Sequence, residues 1–375
     1  MSIFEKKKKA ARDFLLKKIQ DIDMKYKSLP PEKSMEGEPS FWAISQTLWA
    51  LLESGRPNDM NIKTGIDYIL SFRNKSGAWP EPGAAKRDAV FQTACGIIAL
   101  HFLASADKKN EKALNLGVNR LVQLRFEEHG WGYVEGDQCR IRPSAIAVLT
   151  LSTIYRDLPV FRATISSCLE NGIKWLEGAQ NTDNGWGSGS CDNQSNSITA
   201  WVILALSNSV GLGFQVDAER IKKGLAWLIG HQQPKGFWLA EDETNLTINS
   251  IRLPPIYGVD TPLMILALLR SCESDILVPN LCESILKGVY WLMHREEDDR
   301  RYWVDPSELG GYVRENDAIQ AEEMRRNAKP SIWATAYYLL ALDRFEKLHA
   351  KKPGCFIDMC LRNFKKVCVL EGLPV

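Results

Sequence analysis

Two kinds of apolar segment alternate along this chain. The first kind is apolar on nearly every side and recurs six times. It reads TLWALLES from Thr47, TACGIIAL over Thr93–Leu100, SAIAVLTL over Ser144–Leu151, TAWVILAL over Thr199–Leu206, TPLMILAL over Thr261–Leu268 and TAYYLLAL over Thr335–Leu342. A helix apolar all round is one packed on both faces. The second kind carries charges between its apolar positions, as Lys174 and Glu177 do around Trp175 and Leu176. It reads as an amphipathic helix and ends in a polar turn with Gly before an aromatic residue. Copies lie at Ile66–Trp79, Val118–Trp131, Ile173–Trp186 and Leu225–Trp238, with a looser one at Val289–Trp303.

Internal repetition at this spacing is the mark of a repeat architecture. Buried and amphipathic helices in alternation predict an inner and an outer ring, an all-α (α/α)6 barrel or toroid. Closure into a ring also removes the bare ends that an open solenoid must cap. Gly in each turn suits a left-handed helix cap. The Trp that follows it is expected to cover the end of the outer helix and pin the turn to its neighbour. The expected organisation is an N-terminal helical segment over 1–39 packing on the barrel, and the toroid over 40–375. In the first segment Phe4, Ala11, Leu15, Ile19 and Ile22 fall at helical spacing among lysines, so contact with a membrane surface is the alternative to packing.

Composition narrows the function. The chain has 375 residues, 45% apolar, and a net charge of +1. That balance gives no broad field for nucleic acid. Its 9 cysteines are scattered without CxxC spacing, and no secretory signal or membrane-length apolar run is visible. Scattered thiols of this kind fit a reducing cytoplasm, with peripheral membrane contact left open. Nothing in the sequence sets an oligomeric state.

At the repeats the chain resembles the prenyltransferase and squalene-cyclase repeat superfamily, over about Ser40 to Asp343. The most similar stretch, Gln180–Leu206 (QNTDNGWGSGSCDNQSNSITAWVILAL), looks like a segment near the end of squalene-hopene cyclases. The resemblance implies one of three functions. Class II terpene cyclases protonate a polyprenyl alkene with an Asp and fold the cation in an aromatic pocket. Prenyltransferase β subunits hold zinc, and other toroids bind without catalysis.

Class II cyclases carry Asp-x-Asp-Asp directly before the Thr-Ala of one inner helix, and that motif is absent here. The residues two before each Thr or Ser are Ser45, Phe91, Arg142, Ser197, Val259 and Trp333. The nearest carboxylates are Asp260, one residue before Thr261, and Asp88, five before Thr93. These are the candidate catalytic acids, against the alternatives of a helix cap at Asp260 and a cap or ion pair at Asp88. Zinc would need three or four convergent ligands; the 5 histidines and Cys191-Asp192 supply no such group in sequence, so no metal and no cofactor is expected. Glu296-Glu297-Asp298-Asp299, followed by Arg300 and Arg301, reads as a solvated turn rather than a diphosphate motif.

If the residue two before each Thr faces the axis, the residue four later shares that face. The pairs are Ser45/Trp49, Phe91/Cys95, Arg142/Ile146, Ser197/Trp201, Val259/Leu263 and Trp333/Tyr337. Such a ring is aromatic with one permanent charge. Candidate substrate-binding residues are therefore Trp49, Phe91, Arg142, Trp201, Tyr257, Trp333 and Tyr337, with solid core packing as the alternative. Arg142 would hold an oxyanion or pair with Glu135, Asp137 or Asp260. The expected partner is a hydrophobic isoprenoid-type small molecule. It would be cyclised or isomerised if the protein is an enzyme, and merely held if it is a lipid- or protein-binding toroid; a prenyltransferase-like subunit is the third reading.

Overall fold

The computed structural model describes residues 3–26, 41–55, 60–80, 87–103, 108–127, 129–187, 195–239, 247–248, 251–252, 260–294 and 332–351. Within them lie twelve α-helices. In chain order they are α1 (Ile3–Tyr26), α2 (Phe41–Glu53), α3 (Met60–Ser71), α4 (Val90–His101), α5 (Lys108–Gln123) and α6 (Ile141–Ile154). They continue as α7 (Arg162–Gly178), α8 (Asn196–Val210), α9 (Ala218–Gly230), α10 (Thr261–Glu273), α11 (Leu281–His294) and α12 (Ile332–Lys351). Two short antiparallel hairpins, β1 (Arg125–Phe126) with β2 (Gly130–Trp131) and β3 (Thr247–Ile248) with β4 (Ile251–Arg252), and a 3-10 turn at Pro159–Phe161 complete the described elements.

The even-numbered helices are the Thr-Ala segments, and they form the inner ring. Each packs on the next, α2 on α4, α4 on α6, α6 on α8, α8 on α10 and α10 on α12; α12 then packs back on α2 and closes the circle. Nearly every residue of α6 and α8 is buried, including Ser144, Thr150, Ser197 and Thr199. That is why these helices show no polar face in sequence. The odd-numbered helices lie outside. α3 rests on α2 and α4, α7 on α6 and α8, and α11 on α10 and α12. The fold is thus the all-α toroid of paired helices that the alternation predicts.

α1 occupies the sixth outer position, against α12, α2 and α3. Ala11, Leu15 and Ile19 are buried there, and Phe4 stacks on Phe345 with ring centroids 5.8 Å apart. These residues of the apolar stripe are taken up by the barrel and present no free face to a membrane. Among the described residues no helix is long and apolar enough to cross one.

One hydrogen-bond device, repeated four times, joins the two rings. The indole Nε1 of each turn tryptophan donates to the carbonyl ten residues earlier, near the end of the outer helix. The pairs are Trp79 to Ile69 (2.6 Å), Trp131 to Leu121 (2.8 Å), Trp186 to Leu176 (2.8 Å) and Trp238 to Leu228 (2.7 Å). The backbone N–H of the same residue donates to the hydroxyl that opens the next inner helix: Thr93 (3.1 Å), Ser144 (2.8 Å), Thr199 (3.0 Å) and Thr261 (3.1 Å). All four indoles are fully buried. The Thr of the Thr-Ala string and the Trp of the Gly-Trp turn are therefore two ends of one contact. Small residues make room for the ring: a Cβ on Gly224 would sit 2.5 Å from Trp186 and one on Gly96 2.9 Å from Trp79.

The left-handed residue of the turn differs from the sequence expectation in two copies; before Trp131 it is Glu127 (φ 44°), and Gly130 is not left-handed. Gly77 (φ +99°) and Gly236 (φ +97°) take it two residues before the tryptophan, but in the third copy the equivalent position is Asn184 (φ 78°), not Gly185. Asn tolerates this region better than most residues. The turns before Trp79, Trp186 and Trp238 close the same way, with the backbone N–H groups of Asn74, Asn181 and Gln233 donating to the carbonyls of Ala78, Gly185 and Phe237.

Candidate functional site

Each Trp turn leads into the start of an inner helix, so the inner helices point the same way and their first turns gather at one end of the axis. Tyr337 of α12 stands at the centre, 2% exposed. Three tryptophans meet its ring nearly edge-on: Trp49 of α2 (6.3 Å, 84°), Trp201 of α8 (5.9 Å, 75°) and Trp333 of α12 (6.0 Å, 70°). T-shaped pairs at these distances suit the aromatic quadrupole. Around them Ser45, Gln46, Cys95, Ile98 and Ile146 bound a gap of about 200 Å³ that is nowhere wide enough for a water molecule. The axis at this level is thus nearly filled by its own side chains.

Counting i, i+4 from the Thr-Ala strings brings Trp49, Cys95, Ile146, Trp201, Trp333 and Tyr337 to this axis, and the structure places them together. Gln46 and Ile98 join them unforeseen. Gln46 follows Ser45 in an otherwise apolar run, and a long amide in such a helix is the signal that could have found it. Phe91 is partly buried against the core and does not line the gap. Tyr257 lies outside the described residues, as do Trp303, Cys191-Asp192 and Glu296 to Asp299.

Two charged side chains approach the aromatic cluster. Arg142 on α6 donates from Nη2 to the Ser197 hydroxyl at 3.1 Å, and Ser197 in turn lies 3.0 Å from the Ser195 hydroxyl. Its Nε is buried and makes no hydrogen bond. Of the carboxylates expected as its partners, Glu135 pairs with Arg120 at 2.6 Å and Asp137 lies 3.7 Å from Arg87. Asp260 is the residue that opens α10. Its carbonyl accepts the N–H of Leu263 at 2.9 Å and of Met264 at 3.2 Å, but its carboxylate makes no capping bond to the helix. That carboxylate is felt at Tyr337 instead. Burial pushes the Tyr337 hydroxyl well above the usual tyrosine range; the fields of Cys95 and Asp260 act in the same direction, and Arg142 and Gln46 act against them. Burial also pushes the Cys95 thiol up to about 12.

Asp88 stands elsewhere. It precedes α4, and its carboxylate accepts from Asn74, from Ser76 at 2.7 Å and from Arg120 of the outer helix α5. Burial alone would raise its pKa, but the bonds from Ser76, Arg120 and Asn74 outweigh that and hold it low. The group ties an outer turn to α5 and lies apart from the aromatic cluster, which fits the ion-pair alternative.

The far end of the axis is closed by polar pairs. Trp49 Nε1 donates to Glu53 at 2.6 Å, and Glu53 pairs with Arg344 at 2.8 Å. Asn208 donates to Ser152 at 2.7 Å and accepts from Arg270, which also holds Glu273 at 2.6 Å. The Glu53–Arg344 pair thereby fixes the indole of Trp49. Among the described residues no three His, Cys, Asp or Glu side chains gather as a metal would require.

An inner ring of apolar helices with an aromatic centre at their N-terminal end defines an α/α toroid of the terpene-cyclase kind. Residues 150–249 match the squalene-hopene cyclase C-terminal domain family, so over that stretch the repeats are squalene-cyclase-like. Among solved structures it is similar to the type II terpene cyclase MstE from Scytonema (TM-score 0.56, 14% identity, covering 93% of this chain and 100% of that one). It is also similar to the unsaturated glucuronyl hydrolase from Bacillus sp. GL1 (TM-score 0.58, 15% identity, 88% and 94%) and to the polysaccharide lyase BACCELL_00875 (TM-score 0.53, 12% identity, 90% and 98%). These likenesses establish the toroid and not its chemistry. No curated protein matches the chain in sequence.

Proposed function

We propose that this protein binds a hydrophobic, isoprenoid-type molecule at the N-terminal end of the inner ring, against Trp49, Trp201, Trp333 and Tyr337. The observation that carries the reading is the convergence of three indoles on one buried tyrosine at the axis. Flat apolar faces suit a greasy chain, and they also favour positive charge by up to about 2 kcal/mol each when desolvated. Arg142 brings a donor-rich group to the rim, where an oxygen-bearing head would meet it. Because the gap is narrower than water, a guest must swing the aromatic side chains apart to enter.

One observation favours a catalytic version. Asp260 opens its helix without capping it and its charge bears on Tyr337, so it is the carboxylate best placed to serve an alkene held among the rings. Alkene protonation there would give a cation that cyclises or isomerises among the tryptophans. The alternative is a toroid that holds its guest unchanged. Incubation with farnesyl and geranylgeranyl diphosphates and squalene, followed by chromatography, tests both. Binding is expected in either case. Isomeric products that disappear in Asp260→Asn support the catalytic version, and products that persist in that variant remove Asp260 from the role. Failure to bind any of the three contradicts the proposal.

A further inference from the structure

Two polar atoms at the centre of the aromatic cluster are left unmatched. The Tyr337 hydroxyl and Gln46 Oε1 are buried and neither completes a hydrogen bond, although both residues are only 2% exposed. They come from different helices, α12 and α2, and both residues line the axial gap. Gln46 stands close enough to act on both Tyr337 and Cys95 as a side-chain hydrogen-bonding neighbour, but its Oε1 and the Tyr337 hydroxyl themselves complete no bond. Leaving such groups unpaired in the interior is costly. Some buried polar side chains of the inner ring are matched, Ser207 with Ser271 at 3.1 Å and Asn208 with Ser152 at 2.7 Å, and others such as the Thr47 and Thr150 hydroxyls are not, but Gln46 and Tyr337 are the unmatched residues that line the axial gap. The gap beside Gln46 and Tyr337 is too narrow for water to match them. A closed aromatic well that hides one donor and one acceptor becomes satisfied when it opens around a guest carrying the complementary pair.

From this juxtaposition we infer that the axial well is a site for an apolar alcohol, whose hydroxyl enters between Gln46 and Tyr337 while its hydrocarbon lies against Trp49, Trp201 and Trp333. A hydroxyl is the group that meets both needs, donating to Gln46 Oε1 and accepting from the Tyr337 O–H. A ketone or ether accepts from Tyr337 but leaves Gln46 unmatched, and a hydrocarbon leaves both. Tyr337 stays protonated through the physiological range, as its donor role requires. The inference rests on the reading that the axis binds an isoprenoid-type guest, and it names the group that such a guest turns inward.

The test is equilibrium binding to the full chain, followed by tryptophan fluorescence, with three fifteen-carbon probes that share a skeleton: farnesol, farnesene and farnesyl diphosphate. Farnesol is expected to bind about tenfold more tightly than farnesene, the ratio that one well-made hydrogen bond supplies. Tyr337→Phe and Gln46→Leu should each bring the ratio of farnesol to farnesene affinity, measured within the same variant, from about tenfold to about one. Tyr337→Phe should also melt no lower than the native protein, because it deletes an unpaired hydroxyl and keeps the ring. Equal affinity for farnesol and farnesene overturns the alcohol assignment and leaves the isoprenoid reading standing. So does tightest binding of farnesyl diphosphate that is indifferent to both variants. No binding by any probe overturns both.

Discussion

At the scale of single residues, the molecule depends on a hydroxyl that sequence reading treats as a mere helix marker. Thr199 Oγ1 accepts the Trp186 N–H at 3.0 Å and donates to the Trp186 carbonyl at 3.3 Å, fully buried. Thr199→Val keeps the shape and removes both bonds, leaving a buried N–H without its partner. It is expected to lower stability by about 1–2 kcal/mol, measured as a shift of the urea midpoint at unchanged slope. A neutral result would mean that the Trp turn holds itself in place without the Thr. The structural role of the tryptophans was legible from their repetition; the role of the Thr was not, because a hydroxyl at a helix start already has an ordinary explanation as a cap. The axial residues divide in the same way. Trp49, Trp201 and Tyr337 follow from counting four residues along a helix whose register is known. Gln46 escapes that count because it stands one residue beyond Ser45, off the strict four-residue line.

At the scale of elements, the sequence shows six inner strings but only five outer ones. The structure supplies the sixth from α1, whose charged sequence hides its role: seven lysines and Arg12 surround a narrow apolar stripe. One of those lysines is itself buried. Lys8, 3% exposed, reaches Glu5 at 2.9 Å, Asp343 at 3.7 Å and also Glu346, fastening α1 to α12 with charge as well as with Leu15 and Ile19. A run of lysines reads as a solvated face, and only the tertiary contact reverses that at Lys8. Leu15→Ala is expected to cost about 3 kcal/mol, the ordinary penalty for a cavity under a fully buried leucine, read by thermal or urea unfolding. If α1 were an appendage, the change would leave the melting of the barrel where it was.

At the scale of the whole molecule, closure explains both what can be read from the chain and what cannot. The alternation of two helix types sets the ring, because each type can bury its apolar surface only between particular neighbours. What fills the ring is a different matter. An aromatic residue pointing inward serves equally as core or as pocket wall, and the choice depends on how side chains from six helices meet. The structure resolves this into a tight cluster with a narrow gap, two unmatched polar atoms and two charges near the rim. A candidate acid is the least legible part, since the chain departs from Asp-x-Asp-Asp at the one place where a resemblance could have carried a residue across. The proposed function stands or falls on whether this cluster opens around an apolar guest. Native mass spectrometry after incubation with isoprenoids of graded length decides it. A one-to-one adduct is expected with the native protein and a several-fold weaker one with Trp201→Leu; no adduct at any length, or one indifferent to Trp201, would contradict the opening of the well.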